Sequence, residues 1–159
     1  MESPQPVVEA IAEAFASARQ PCTWQELASP SLDLPYVVRH FLGKAQDEVE
    51  QEFAGHENME DFDSMTARAV EYYLPAVMRY MLREPDDSQS WIWIHGSLRC
   101  REGGDVRSSY RALTPSQYRA IALWADFLMW FWDSHPEMMV DPVDAMELAE
   151  TYQTLADKA

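Results

Sequence analysis

Residues 113–132 read "LTPSQYRAIALWADFLMWFW", and this stretch decides the fold class. It opens like a helix: Thr114 is a good N-cap, Pro115 suits the first turn, and Gln117 stands where its amide can bond the backbone N–H of the cap. The apolar residues that follow recur at helical spacing and are Ile121, Trp124, Ala125, Leu128 and Trp132. Other apolar residues widen this stripe. The pattern therefore predicts a long helix at the centre of the domain.

A second apolar stretch, "EYYLPAVMRYML" at residues 71–82, carries Pro75 inside a helical pattern that runs from about 64 to 83. A proline in a helix interior loses a hydrogen bond and clashes one turn back, at a cost of about 3 kcal/mol or more. It also disfavours the helical conformation of the residue before it. We therefore expect a helix break or a sharp kink near Pro75, with this proline as the first residue of a second piece.

The rest of the chain also shows helical patterns. Capping residues and apolar periodicity predict helices over about 6–19, 23–28, 38–53 and from 142 onward. Residues 88–101 fit a strand or a helix, and a helix is favoured because no second strand is visible to pair with them. Together these patterns predict one all-α domain over residues 1–159, a compact irregular bundle of about six to seven helices.

Composition limits the class of protein. A chain of 159 residues can bury roughly 70% of its unfolded surface, so no disulfide or metal is needed for stability. Cys22 and Cys100 form no CxxC motif, and we expect two free thiols in a reducing cytosol. The first residues do not resemble a signal peptide, and the apolar stretch at 120–132 is too short to span a bilayer. We expect a cytoplasmic protein without cofactors.

The net charge of −15, from 12 basic and 27 acidic residues, is the strongest global feature. Such a chain repels phosphate backbones and anionic lipid surfaces, so we expect it to bind neither nucleic acid nor a membrane. A basic protein partner would instead be attracted to it. Solubility alone is the alternative explanation of the charge.

Two segments hold most of the negative charge. Residues 44–63 contain eight acidic side chains and one lysine, for a net of −7, and residues 133–159 contain seven and one lysine, for −6. We predict that the first segment binds a partner through Asp47, Glu48, Glu50, Glu52, Glu57, Glu60, Asp61 and Asp63. Trp130 lies off the main stripe of its helix and is the predicted exposed anchor. A solvated acidic face is the alternative.

Arginines are concentrated in one region of this acidic chain. They are Arg99, Arg101, Arg107, Arg111 and Arg119, against Glu102 and Asp105. They can recognise an acidic group or pair with the acidic helices, and internal pairing is the favoured interpretation.

No motif indicates catalysis or a metal. The candidate nucleophiles and bases are Ser64, Ser97, Ser134, the two cysteines, His40, His56, His95 and His135, and none stands in a known nucleophile motif. The acidic stretch "GHENMEDFD" lacks the HExxH spacing and the calcium-loop pattern. We expect a non-enzymatic protein. The alternatives are an enzyme of unrecognised type that uses His56 or His95, and a helical scaffold or homodimer built through the tryptophan-rich helix.

The motifs "YYLPA" at 72–76 and "LTPSQ" at 113–117 resemble those of a family of small, acidic bacterial proteins of uncharacterised function. The resemblance covers about residues 7–132 and leaves out the acidic tail. It implies a helical fold and a bacterial origin, and it brings no catalytic residues. By analogy with other small acidic bacterial proteins, it suggests an immunity or antitoxin-like role in which the chain covers the basic cleft of a toxin.

Overall fold

The computed structural model describes residues 3–54 and 58–159, and 69% of these residues are helical. The α-helices are α1 (Gln5–Ala14), α2 (Trp24–Leu27), α3 (Leu34–Phe41), α4 (Gln46–Gln51), α5 (Ala67–Arg83), α6 (Ser88–Leu98), α7 (Pro115–Ser134) and α8 (Pro142–Lys158). Three 3₁₀ helices cover Asn58–Ser64, Ser108–Tyr110 and Pro136–Met138. The described residues contain no β-strand, so the all-α prediction is confirmed, with slightly more helices than the six or seven expected.

The central helix predicted over 113–132 is α7. Its capping box forms as expected, because the Thr114 hydroxyl accepts from the Gln117 N–H at 3.2 Å and the Gln117 side chain accepts from the Thr114 N–H at 2.9 Å. Trp124 and Leu128 are fully buried, and α1 and α8 both pack against this helix. The Trp124 indole donates to the Met78 carbonyl at 3.0 Å, which ties α7 to α5.

Helix α5 is continuous from Ala67 to Arg83 and contains Pro75, so the predicted break does not occur, while the alternative of a kink stays a prediction. Packing explains the difference. Pro75 is buried, and the residues beside it that are also buried are Tyr73, Leu74, Ala76, Val77 and Met78. Each fully buried aliphatic or aromatic side chain stabilises the fold by roughly 1.5–3 kcal/mol. The burial of this whole segment therefore offsets the local cost of one proline.

Replacing Pro75 with alanine is expected to stabilise the protein. The change restores one helical hydrogen bond and removes a clash, worth about 3 kcal/mol, while it loses about two buried carbons at roughly 0.8 kcal/mol each. The net gain of about 1 kcal/mol corresponds to a rise of roughly 2–4 °C in Tm. Thermal unfolding followed by circular dichroism measures it, with Leu74→Ala, which only removes buried atoms, as the control. A lower Tm for Pro75→Ala would show that the core is shaped around the proline ring.

The long helix predicted through 38–53 is also wrong, because the chain turns between α3 and α4. Gly43 adopts φ +79°, a left-handed conformation that glycine reaches without strain. The buried Tyr73 hydroxyl lies 2.8 Å from the carbonyl oxygens of both Phe41 and Lys44. Tyr72 accepts from the Gln46 N–H at 3.2 Å. The two tyrosines of the "YYLPA" motif therefore hold the corner between α3 and α4.

The end of α1 and the extent of α6 can also be compared with their predicted bounds. Helix α1 ends at Ala14 rather than near Arg19, and turn hydrogen bonds from the N–H groups of Ala16 and Ala18 follow it. The ambiguous residues 88–101 form α6 over Ser88–Leu98, so the favoured helix is confirmed. Asp87 caps α6 by accepting from the Ser90 N–H at 3.1 Å.

Candidate protein-binding surface

An open cavity of about 340 Å³ lies between α3 and the 3₁₀ helix at 58–64. Its lining residues are Asp33, Tyr36, His40, Glu60, Asp61 and Ser64. Asp33 precedes α3, Tyr36 and His40 share one face of it at i, i+4 spacing, and the other three come from the 3₁₀ helix. Three carboxylates thus converge on one small space beside an aromatic ring.

The deepest polar contact of this cavity joins His40 to Asp61, whose Nδ1 and Oδ2 atoms lie 2.5 Å apart. Burial raises the pKa of Asp61 above its ordinary value, and the hydrogen bond with His40 opposes that shift. The other two carboxylates, Asp33 and Glu60, are exposed at the cavity mouth. A cation can therefore reach these two carboxylates directly from solvent.

Large hydrophobic side chains are exposed next to this cavity. Leu32 is 95% exposed and Tyr36 is 53% exposed. The guanidinium of Arg39 lies 5.3 Å from the centre of the Tyr36 ring, which keeps that ring in place against the helix. Tyrosine is one of the residue types that are enriched in protein-binding hot spots.

The predicted carboxylates of the 44–63 segment occupy different environments. Glu50 is 14% exposed, and it binds Arg79 at 2.7 Å and Arg83 at 2.6 Å. Three more have internal partners: Glu52 binds Lys44 at 2.7 Å, Asp63 binds Arg107 at 3.2 Å, and Asp61 pairs with His40. Much of the negative charge in this segment is therefore neutralised within the fold.

The remaining predicted carboxylates face solvent. Asp47 is 94% exposed and only approaches Arg79, at 4.0 Å. Glu48 accepts from the Ala45 N–H at 3.2 Å at the start of α4, and Glu60 is exposed. Glu57 and the neighbouring His56 lie outside the described residues. Of the predicted set, Asp47, Glu48 and Glu60 are therefore the carboxylates available to a partner.

The second acidic segment, residues 133–159, is more open than the first. Its exposed carboxylates are Asp133, Glu137, Asp141, Glu147, Glu150 and Asp157. Within the described parts of the chain, its one contact with a basic side chain is that of Asp144 with His95, at 3.9 Å. The α8 region therefore carries exposed negative charge that the predicted site residues did not include.

The tryptophans are mostly core residues. Trp91, Trp124 and Trp132 are buried, and the predicted anchor Trp130 is half-buried against the core, with its ring 5.7 Å from that of Phe127. Trp24 is the most exposed described tryptophan, at 38%. The exposed aromatic side chains therefore lie in and before α3 rather than on α7.

The arginine-rich region confirms internal pairing for two of its members. Arg107 binds Asp63, and Arg111 lies 3.4 Å from Asp105. Arg119 makes no ion pair within 4.0 Å among residues 3–54 and 58–159, and its side chain lies on the exposed surface of α7.

Other candidate chemistry is sparse where the structure describes the chain. In those residues no three histidine, cysteine, aspartate or glutamate side chains come together as a metal site requires.

His95 lines a cavity of about 380 Å³ with Cys100 and Asp144, and burial lowers the pKa of His95 while Asp144 opposes the shift. No described helix combines the length and apolar character needed to cross a membrane.

Sequence comparison places the chain in a family. Residues 7–152 match a family of unknown function, DUF6714, and the chain belongs to that family. The match includes most of α8, a stretch that the motif resemblance left out. No curated protein matches the chain, and no solved structure matches it.

Proposed function

We propose that the protein is a non-enzymatic binding module that recognises a basic partner protein through its acidic surface. The observation that carries the proposal is the cavity beside α3, which the carboxylates of Asp33, Glu60 and Asp61 line together with the exposed Tyr36. A lysine or arginine of the partner would enter the cavity mouth, and Tyr36 and Leu32 would supply apolar contact around it. The aromatic contact gives affinity and the charge gives fast association.

The finer role that we propose is that of an immunity or antitoxin-like inhibitor. Proteins that act on nucleic acids or nucleotides have basic clefts, and an acidic chain that covers such a cleft blocks it. The net charge of −15 supports this role, because it accelerates association with a basic cleft. The same charge opposes the homodimer alternative, since two copies repel each other.

The test begins with capture of a partner by the full-length chain from its host and continues with association kinetics on the identified complex. We expect a 1:1 complex whose association rate falls at least about tenfold between low and high salt. The double variant Asp33→Asn with Glu60→Gln should weaken binding about tenfold or more. The control double variant, Glu84→Gln with Asp86→Asn, neutralises two exposed carboxylates elsewhere and should stay within twofold. Binding that is unaffected by salt and by both double variants would contradict recognition through acidic side chains.

One group of side chains in the cavity beside α3 resembles part of a hydrolase triad. Labelling of its serine would contradict the proposed non-enzymatic role. Ser64, His40 and Asp61 line the same cavity, and His40 contacts Asp61 through Nδ1, the nitrogen that the carboxylate of a hydrolase triad holds. Among the described residues, Ser64 and His40 share no hydrogen bond. We therefore expect a fluorophosphonate probe to leave Ser64 unlabelled. Labelling that is lost in Ser64→Ala and in His40→Ala would establish an enzyme instead.

A further inference from the structure

The outer surface of α7 carries a groove on each side, away from the cavity beside α3. Between α7 and α8 lies a cavity of about 640 Å³ lined by Arg119, Ala122, Leu123, Asp126, Ala149, Glu150, Gln153 and Thr154. Between α1 and α7 lies one of about 240 Å³ lined by Ala10, Glu13, Ala14, Ser116, Arg119, Ala120 and Leu123. The two share Arg119 and Leu123, so they form one continuous surface, which we call the α7 groove.

The shape of the α7 groove suits a helix. Its lining residues on α7 run from Ser116 to Asp126, which at 1.5 Å per residue is a length on the order of 15 Å, or about three helical turns. Alanines from all three helices line the groove, and their short side chains leave space for an occupant. The half-buried Leu123 is the one large apolar side chain in the lining. A furrow between packed helices accepts the side-chain ridge of a further helix.

The charge of the α7 groove selects a basic occupant. Each of the three helices contributes one carboxylate to the lining: Glu13 from α1, Asp126 from α7 and Glu150 from α8. Arg119 is the single basic side chain of the lining, so three carboxylates and one guanidinium give a net of −2. An occupant with lysines or arginines on both edges of an apolar stripe complements this pattern.

We propose that the α7 groove docks an amphipathic helix of the basic partner, with small apolar residues on its inner face and lysine or arginine on its edges. The proposal rests on the proposed function, because it names the partner's second contact with this chain. The groove and the cavity beside α3 share no lining residue. The two surfaces can therefore be varied separately.

A designed peptide tests the α7 groove directly. The probe is an 18-residue amidated helix with alanine and leucine on one face and lysine on the other, and its control is a scrambled peptide of the same composition. Fluorescence anisotropy with the full chain should show that the amphipathic peptide binds at least about tenfold more tightly than the scrambled one. Equal affinities would mean that charge alone attracts the peptide, and they would overturn the proposal that the groove docks a helix.

Substitutions in the α7 groove test whether the peptide binds there. Thr154→Trp fills the furrow from an exposed position and should weaken peptide binding about tenfold, as should Asp126→Lys combined with Glu150→Lys. The cavity variant Asp33→Asn with Glu60→Gln is the matched control and should bind the peptide as the parent chain does. Circular dichroism confirms that every variant is folded.

The outcomes separate the two proposals. Unchanged peptide affinity in Thr154→Trp overturns the groove, while the salt dependence of the captured partner still decides the proposed function. Conversely, peptide binding that depends on the groove supports the docking site even if neutralising the cavity beside α3 leaves partner affinity unchanged. In that case the α7 groove would replace the cavity as the contact with the partner.

Discussion

Replacing Trp124 with alanine is expected to lower the free energy of unfolding by about 4 kcal/mol, the middle of the range for a buried tryptophan. Trp124 is fully buried, and its indole donates to the Met78 carbonyl at 3.0 Å in the middle of α5. The variant loses the apolar contacts of the ring and this link between the two central helices. Small domains are stable by only about 5–15 kcal/mol, so a large share of the total stability is removed.

Trp130→Ala is the matched control for this prediction, because it removes the same side chain from the same helix at a half-buried position. It should cost on the order of 1 kcal/mol, since much of the Trp130 ring is already in contact with water. Urea unfolding followed by far-UV circular dichroism measures both losses. Equal losses would show that α7 is not packed as its apolar stripe and the structure indicate.

The helix at the centre of the fold could be predicted because its signals are local. The capping box of Thr114 and Gln117 and the stripe through Trp124 depend on residues a few positions apart, and the structure confirms them. The error at Pro75 has the opposite origin. A local rule penalises a proline inside a helix, but burial against distant parts of the chain outweighs that penalty.

The corner between α3 and α4 is a second place where local sequence patterns did not predict the structure. The apolar spacing from Val38 to Phe53 is helical, and Gly43 was the only local sign of a turn. The turn is fixed by the hydroxyl of Tyr73, about 30 residues further along the chain. No pattern within the segment itself could reveal that contact.

The candidate site was predictable in its charge but not in its geometry. Counting residues found the acidic segment 44–63, yet the basic side chains that neutralise much of it include Arg79, Arg83 and Arg107, all outside that window. His40 and Asp61 are 21 residues apart, so the cavity that they share leaves no local signal. The exposure of Tyr36 left no local signal in the sequence either, because Tyr36 is an aromatic residue in an amphipathic helix.

Removing the Tyr73 hydroxyl is the second change with a large expected effect. Tyr73→Phe should lower the free energy of unfolding by about 2 kcal/mol, because it removes the hydroxyl donor that the carbonyls of Phe41 and Lys44 share at the corner between α3 and α4. Burial raises the pKa of Tyr73 far above its ordinary value, so the hydroxyl stays protonated and can donate at physiological pH. The loss should therefore be the same at pH 6 and pH 8.

Tyr72→Phe is the control from the same motif. Its hydroxyl accepts from the Gln46 N–H at 3.2 Å and donates to the Gln20 side chain at 3.3 Å, both partly open to water. Since water can replace these bonds, the loss should be below about 1 kcal/mol. Hydrogen exchange adds a local measurement: the Lys44 N–H, which bonds the Phe41 carbonyl at 3.0 Å, should exchange faster in Tyr73→Phe than in Tyr72→Phe. If both variants lose equal stability and protection, Tyr73 is not what holds the corner, and the placement of α4 must come from its ion pairs with α5.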